Sequence, residues 1–133
     1  MTTDEWPHPS SVYKIMIFGT TKVITRDGTE IRLRDWNDDK GTQYWRCRGR
    51  GDYIGFMNQF TEKYLGFNVH EVLVCSAGTH DKWEDFQVER IGTGKFKLNM
   101  RKDDYLHPVS KITDDELKMM ASSETYFAFE KIL

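Results

Sequence analysis

The chain has 133 residues, 38% hydrophobic, 14% aromatic and 30% charged, with a formal net charge of −2. That length suits one domain with a real core, because a chain of this size buries roughly 65–70% of its extended surface. The near-neutral balance and the aromatic content argue against disorder and against a polyanion-binding domain, and no apolar run approaches the ~18 residues that span a bilayer.

Residues 1–11, MTTDEWPHPSS, lack the basic and apolar regions of a signal peptide, so the expectation is a cytoplasmic protein, with unconventional export as the other route. They form an N-terminal tail in which Trp6-Pro7-His8-Pro9 either packs across the domain or stays apart from it. The first unit, residues 12–50, follows. Tyr13-x-Ile15-x-Ile17 alternates, Gly19-Thr20-Thr21 turns, Val23-Ile24 leads to an Asp27-Gly28 turn, and Ile31-x-Leu33, a polar loop and Trp45-x-Cys47 complete it. Alternation at period two reads as four short strands. The second unit, residues 51–92, runs from Tyr53 through Tyr64-Leu65 and Val72-x-Val74 to Phe86-x-Val88. The third, residues 93–133, runs from Phe96-x-Leu98 through Tyr105-Leu106 and Leu117-x-Met119 to Phe127-x-Phe129. Only Asp114–Ala121 contains a run of good helix formers, and it too is read as turn plus strand.

The units repeat. Val23, Tyr64 and Tyr105 are spaced by 41 residues, and so are Trp45, Phe86 and Phe127. Two registers with one period make three copies of one four-stranded unit. Closing three such units on a threefold axis removes exposed strand edges, so the expected fold is an all-β β-trefoil over residues 12–133.

The frame YKIMIFGTTKVI…IRLRDW…QYWRC resembles a ricin-B-type lectin unit, with Gln43-Tyr44-Trp45 standing at that family's Gln-x-Trp signature. EKYLGFN followed by WEDFQVER is similar to fascin-like trefoils, and the whole is similar to small leaderless trefoil proteins of fungi, which include lectins and protease inhibitors. The ricin-B resemblance implies a sugar held by an Asp just after the Val-Ile strand. Those positions read Thr25, Gly66 and His107, so the usual carboxylate is missing in every unit. Gln-x-Trp is expected to be a core element whose Gln satisfies backbone groups, since units two and three keep the aromatic in Glu84-Asp85-Phe86 and Thr125-Tyr126-Phe127 and lose the Gln.

Candidate site residues come from asymmetry between the units. A large loop residue present in one unit and absent from its equivalents has no scaffold reason to be there. Trp36 lies in DWNDDKG with Asp35, Asn37 and Asp38 beside it; an indole face flanked by carboxylates and an amide suits a sugar ring. Trp83, with His80 and Asp81 close by, is the second candidate. Folding of either Trp over the barrel mouth is the alternative use.

Several other readings fall away. In TQYWRCRGRGDY, Arg46 and Arg48 point outward if Trp45 and Cys47 point inward, and Arg50-Gly51-Asp52 marks the join between two units and reads as a turn. Nucleic acid is not expected as a partner, because the aromatics alternate into the core. Cys47 and Cys75 are expected to be free and buried; the four histidines, in a tail or in loops, are expected to be solvated. No metal site, cofactor or catalytic centre is expected. The functions that remain are a glycan- or glycoprotein-binding lectin-like module, a protein-binding trefoil directed at actin or a protease, and an auxiliary subunit without ligand. A single weak site gains from multivalency, which predicts a homo-oligomer.

Overall fold

Six strands close into a barrel and six more cap one end of it. A computed structural model describes residues 6–133. In chain order the strands are β1 (Val12–Ile17), β2 (Lys22–Asp27), β3 (Glu30–Asp35), β4 (Trp45–Arg50), β5 (Tyr53–Asn58), β6 (Tyr64–Phe67), β7 (Leu73–Ala77), β8 (Phe86–Gly92), β9 (Lys95–Lys102), β10 (Tyr105–Lys111), β11 (Leu117–Met119) and β12 (Phe127–Lys131). One short 3₁₀ turn, Lys82–Glu84, interrupts them. Antiparallel pairing runs β1–β4, β4–β5, β5–β8, β8–β9, β9–β12 and back from β12 to β1, which closes the ring. The hairpins β2–β3, β6–β7 and β10–β11 form the cap. This is a β-trefoil, with the residues of Asp114–Ala121 in a bend and β11.

The threefold repeat is visible atom by atom. The amide of Leu33 donates to the Asp115 carbonyl at 2.8 Å, that of Cys75 to Thr29 at 2.8 Å, and that of Met119 to Glu71 at 2.9 Å. Each bond joins one cap hairpin to the next, so a triangle of backbone bonds holds the three units together. Beneath it the equivalent residues Trp45, Phe86 and Phe127 are all 0% exposed. Burial of each such aromatic contributes roughly 2–3 kcal/mol. Phe129 stacks on Phe56 with ring centroids 5.9 Å apart and meets Phe96 edge-on at 5.6 Å, which fills the barrel axis.

The strand registers correct two of the repeats read from sequence. In β7 the inward residues are Leu73 and Cys75, each 1% exposed, and not Val72 and Val74. The connection between Phe67 and Leu73 takes one residue more than the Asp27-Gly28 hairpin, with Glu71 at φ 65° and Asn68 Oδ1 accepting from the His70 and Val72 amides. A one-residue shift flips every side chain to the other face. In β10, Tyr105 is 71% and Leu106 44% exposed, and Val109, at 0%, takes the core place that Ile24 and Leu65 hold in the other units. The β9–β10 hairpin is longer, and Asp103-Asp104, at φ 52° and 66°, closes it as a two-residue turn. Ser110, and not His107, is therefore the counterpart of Thr25 and Gly66.

The N-terminal segment packs against the domain from residue 6 onward. Trp6 meets the core residue Phe96 edge-on at 5.2 Å, its carbonyl accepts from the Tyr13 hydroxyl, and the His8 amide donates to that same hydroxyl at 2.8 Å. Tyr13, Ile54 and Phe96 are equivalent by register. Trp6 thus covers the end of the barrel away from the cap.

Candidate functional site

The Trp36 loop is held from below by Gln43. Its side chain is 1% exposed; Oε1 accepts from the Asn37 and Asp39 amides at 3.1 and 3.4 Å, and Nε2 donates to Thr25 Oγ1 and the Asp35 carbonyl. Trp45 Nε1 donates to the Ile24 carbonyl at 3.0 Å. In the second unit Glu84 occupies the place of Gln43, 7% exposed, with Oε1 accepting from the Asp81 amide at 3.0 Å; in the third, Thr125 Oγ1 accepts from the Lys111 amide at 2.9 Å. All three residues satisfy backbone groups, the role expected of the Gln.

Trp36 is half-buried. Its ring stacks on Tyr44 with centroids 5.9 Å apart, and the Lys14 ammonium lies 4.5 Å from its centroid. The carboxylates beside it are engaged. Asp35 Oδ1 accepts from Thr21 Oγ1 at 2.7 Å and lies 3.4 Å from Lys22 Nζ; the hydroxyl bond first and the lysine second hold this carboxyl below its ordinary value. Asp38, at φ 59°, accepts from the Tyr44 hydroxyl, a bond that pushes the phenol up. Asn37 Oδ1 accepts from the Asp39 amide at 3.2 Å. The loop is a self-bonded unit with an indole wedged into it.

Trp83 is placed differently. It sits on the 3₁₀ turn, 44% exposed, stacked on Phe67 at 4.9 Å. Phe67 is itself a core residue, 3% exposed, so the indole has a rigid backing. On one side lies a hollow of about 420 Å³ lined by Thr79, Asp81, Lys82, Trp83 and Glu84. A second hollow of about 220 Å³ shares Lys82 and Trp83. Trp36 and Trp83 belong to different units and share no ring contact among the described residues.

Two glycines let this turn settle on the barrel. A Cβ on Gly66 would meet the Trp83 carbonyl and Glu84 Oε2 at 2.8 Å each. Gly66 is the position where the ricin-B resemblance places a carboxylate on its own strand. The Glu84 carboxylate fills that room instead, and burial pushes it up. A Cβ on Gly55 would come within 2.7 Å of the His80 ring. His80 is therefore not a solvated loop histidine: its side chain is 8% exposed, tilted against Tyr64 at 5.4 Å. Its Nε2 lies 2.9 Å from Asp85 Oδ1, close but not well directed, so neither buried atom has an aligned hydrogen bond. Arg50 Nη1 binds the other Asp85 oxygen at 2.7 Å, and Arg50 Nη2 lies 3.7 Å from Asp81. Burial lowers His80, against the opposing pull of Asp85.

Two of the three arginines in TQYWRCRGRGDY are occupied. Arg50 is committed to Asp85 and Asp81, and Gly51, at φ 57°, turns the β4–β5 hairpin. Arg46 donates to the Ser10 carbonyl at 2.6 Å and to Gln59 Oε1 at 3.0 Å, and Arg48 is exposed. Cys47 and Cys75 are free and buried, with thiols pushed up by burial to about 12 and about 11. Among the described residues no group of three or more His, Cys, Asp or Glu side chains is placed to hold a metal.

One exposed aromatic escaped the sequence comparison. Phe60, 74% exposed in the β5–β6 turn, stands where the first unit has Gly19, and its ring lies beside Gly41 of the Trp36 loop, about 3.7 Å from where a Cβ would sit. The same test of asymmetry, applied to the turns between paired strands, finds it.

No protein-family model and no curated protein matches the sequence. Solved structures do match. A designed threefold-symmetric protein, ThreeFoil, superposes with a TM-score of 0.77 at 12% identity over 91% of this chain and 99% of its own. The ricin B-like lectin of Macrolepiota procera, solved with lactose, gives 0.73 at 14% over 96% and 100%. Hisactophilin, described as similar in structure to interleukin-1 beta and fibroblast growth factor, gives 0.69 at 16% over 94% and 100%. At such identities the likeness establishes the β-trefoil fold and nothing about ligands.

Proposed function

We propose that the chain is a non-catalytic glycan-binding module whose sugar lies on the exposed indole of Trp83. The observation that carries this reading is an exposed aromatic ring with a buried aromatic behind it and a hollow of about 420 Å³ beside it, lined by oxygen-bearing side chains. Sugar CH groups stack on the ring, and the carboxylate of Asp81 and the Thr79 hydroxyl accept or share hydroxyl bonds. Placement on a turn locked by Gly66 and Gly55 reduces the ordering cost of binding. The Trp36 loop, with Asp35, Asn37 and Asp38, is a second platform. There a ligand meets the indole only by displacing the Lys14 ammonium or by using the ring edge. A lactose-bound ricin B-like lectin among the structural neighbours supports the general class of partner.

A glycan array probed with the wild type, Trp83→Ala and Trp36→Ala, each checked for folding by circular dichroism, tests the proposal. Selective binding that is lost in Trp83→Ala and kept in Trp36→Ala is expected. Loss only in Trp36→Ala moves the site to the first unit, and a folded wild type that binds no glycan rejects the reading.

A further inference from the structure

Trp83 stands between two hollows that share Lys82. Beside Lys82 and Trp83, the larger is lined by Thr79, Asp81 and Glu84, whereas the smaller, about 220 Å³, is lined by Arg101, Lys102, Asp103 and Asp104. Three cations from two separate elements, the 3₁₀ turn and the end of β9, converge on one edge of the indole. They are not equally committed. Lys102 is paired with Glu71 at 3.3 Å, and the Arg101 guanidinium lies 4.8 Å from the Tyr53 ring centroid, where it is fixed against an aromatic face. Lys82 is exposed and has no ion pair among the described residues. The two acids of this hollow sit at the tip of the β9–β10 turn, both exposed and both at positive φ.

We propose that the preferred ligand is an acidic oligosaccharide that straddles Trp83. This inference rests on the glycan reading above. One sugar ring lies on the indole, with its hydroxyls toward Asp81 and Thr79. The adjoining unit puts a carboxylate or sulfate into the smaller hollow, where Lys82 and Arg101 meet it. A carboxylate or sulfate accepts charge-assisted hydrogen bonds from a guanidinium in a fixed fork and from a flexible ammonium. A neutral sugar in the same place would accept only the weaker hydrogen bonds that its hydroxyl oxygens allow. An anion on the other side would still reach Lys82 but would face Asp81 and the buried Glu84 with no second cation, so Arg101 sets the direction of the chain across the ring. Asp103 and Asp104 work against the anion and limit affinity; they tune the site.

The test is titration with matched pairs, trigalacturonate against a neutral galactose trimer and 6-sulfolactose against lactose, read by calorimetry and by the Trp83 indole N–H resonance. The acidic member is expected to bind about tenfold more tightly at low salt, with the gap closing as salt screens it. Lys82→Gln should close the same gap without loss of fold, and Asp104→Asn should widen it. Equal binding of both members with a moving Trp83 signal overturns the acidic preference and leaves the glycan reading standing. An acidic preference untouched by Lys82→Gln overturns the assigned position of the anion. If no saccharide moves the Trp83 signal, both readings fall together.

Discussion

His80 Nε2 and Asp85 Oδ1 lie 2.9 Å apart in side chains that are 8% and 0% exposed, one on each side of the turn that carries Trp83, and Arg50 of β4 binds the other Asp85 oxygen at 2.7 Å. Arg50 on Asp85, Asp81 beside Arg50, and Tyr64 complete the surroundings of the imidazole. Burial is the largest influence and lowers His80 from its ordinary value of 6.5. A group whose folded value is lowered contributes stability that is fully present above 6.5 and is lost as pH falls through the folded value. Melting temperature should therefore drop on acidification below about pH 6.5, and His80→Gln should flatten that part of the curve.

Glu84 has the opposite sign. Burial raises its carboxyl from 4.5, so its contribution is full below that pH and is lost as pH rises through the raised value. Glu84→Gln should remove that loss and make the profile steeper on the acid side, where Glu84 no longer opposes His80.

Gly55→Ala should destabilise the fold by about 1–3 kcal/mol, the usual cost of overpacking. The added methyl would stand within 2.7 Å of the His80 ring, which is itself held by Asp85 and cannot retreat without losing that contact. Combining it with His80→Ala should recover part of the loss, and a double-mutant cycle by denaturant unfolding measures the coupling. Strict additivity would show that the ring does not occupy this niche.

Gln43→Ala should cost about 1–3 kcal/mol, because four polar partners lose a buried side chain that is 1% exposed. Gln43→Glu should cost less, since it keeps the acceptor for the Asn37 and Asp39 amides, as Glu84 does for Asp81 in the second unit. Hydrogen exchange at Asn37 and Asp39 separates the two variants. Protection unchanged by Gln43→Ala would mean that the loop holds itself.

How far the site could be read from sequence depends on which force acts. Trp36 and Trp83 stand out because a repeat makes an unmatched side chain visible, and Phe60 could have been found the same way opposite Gly19. Which of them offers a face to a ligand does not follow from spacing. Lys14 comes to Trp36 from β1, and Phe67 comes to Trp83 from β6, so each contact joins residues far apart in the chain. His80 looked solvated because nothing in its neighbours along the chain announces Gly55, Arg50 and Asp85 as walls.

By itself the sequence determined the threefold β-trefoil, since its period and alternation act through burial, which is summed over many residues and tolerates local error. The inward aromatics Trp45, Phe86 and Phe127 and the backbone role of Gln43 follow from that same repetition. Only the tertiary structure decided the register of β7 and β10, where one or two residues in a turn invert or displace a strand. It alone decided the docking of Trp6 over the barrel end, the buried His80–Asp85–Arg50 cluster and the convergence of cations beside Trp83. These depend on close approaches between distant segments, where a missing Cβ or a single charge outweighs any pattern along the chain.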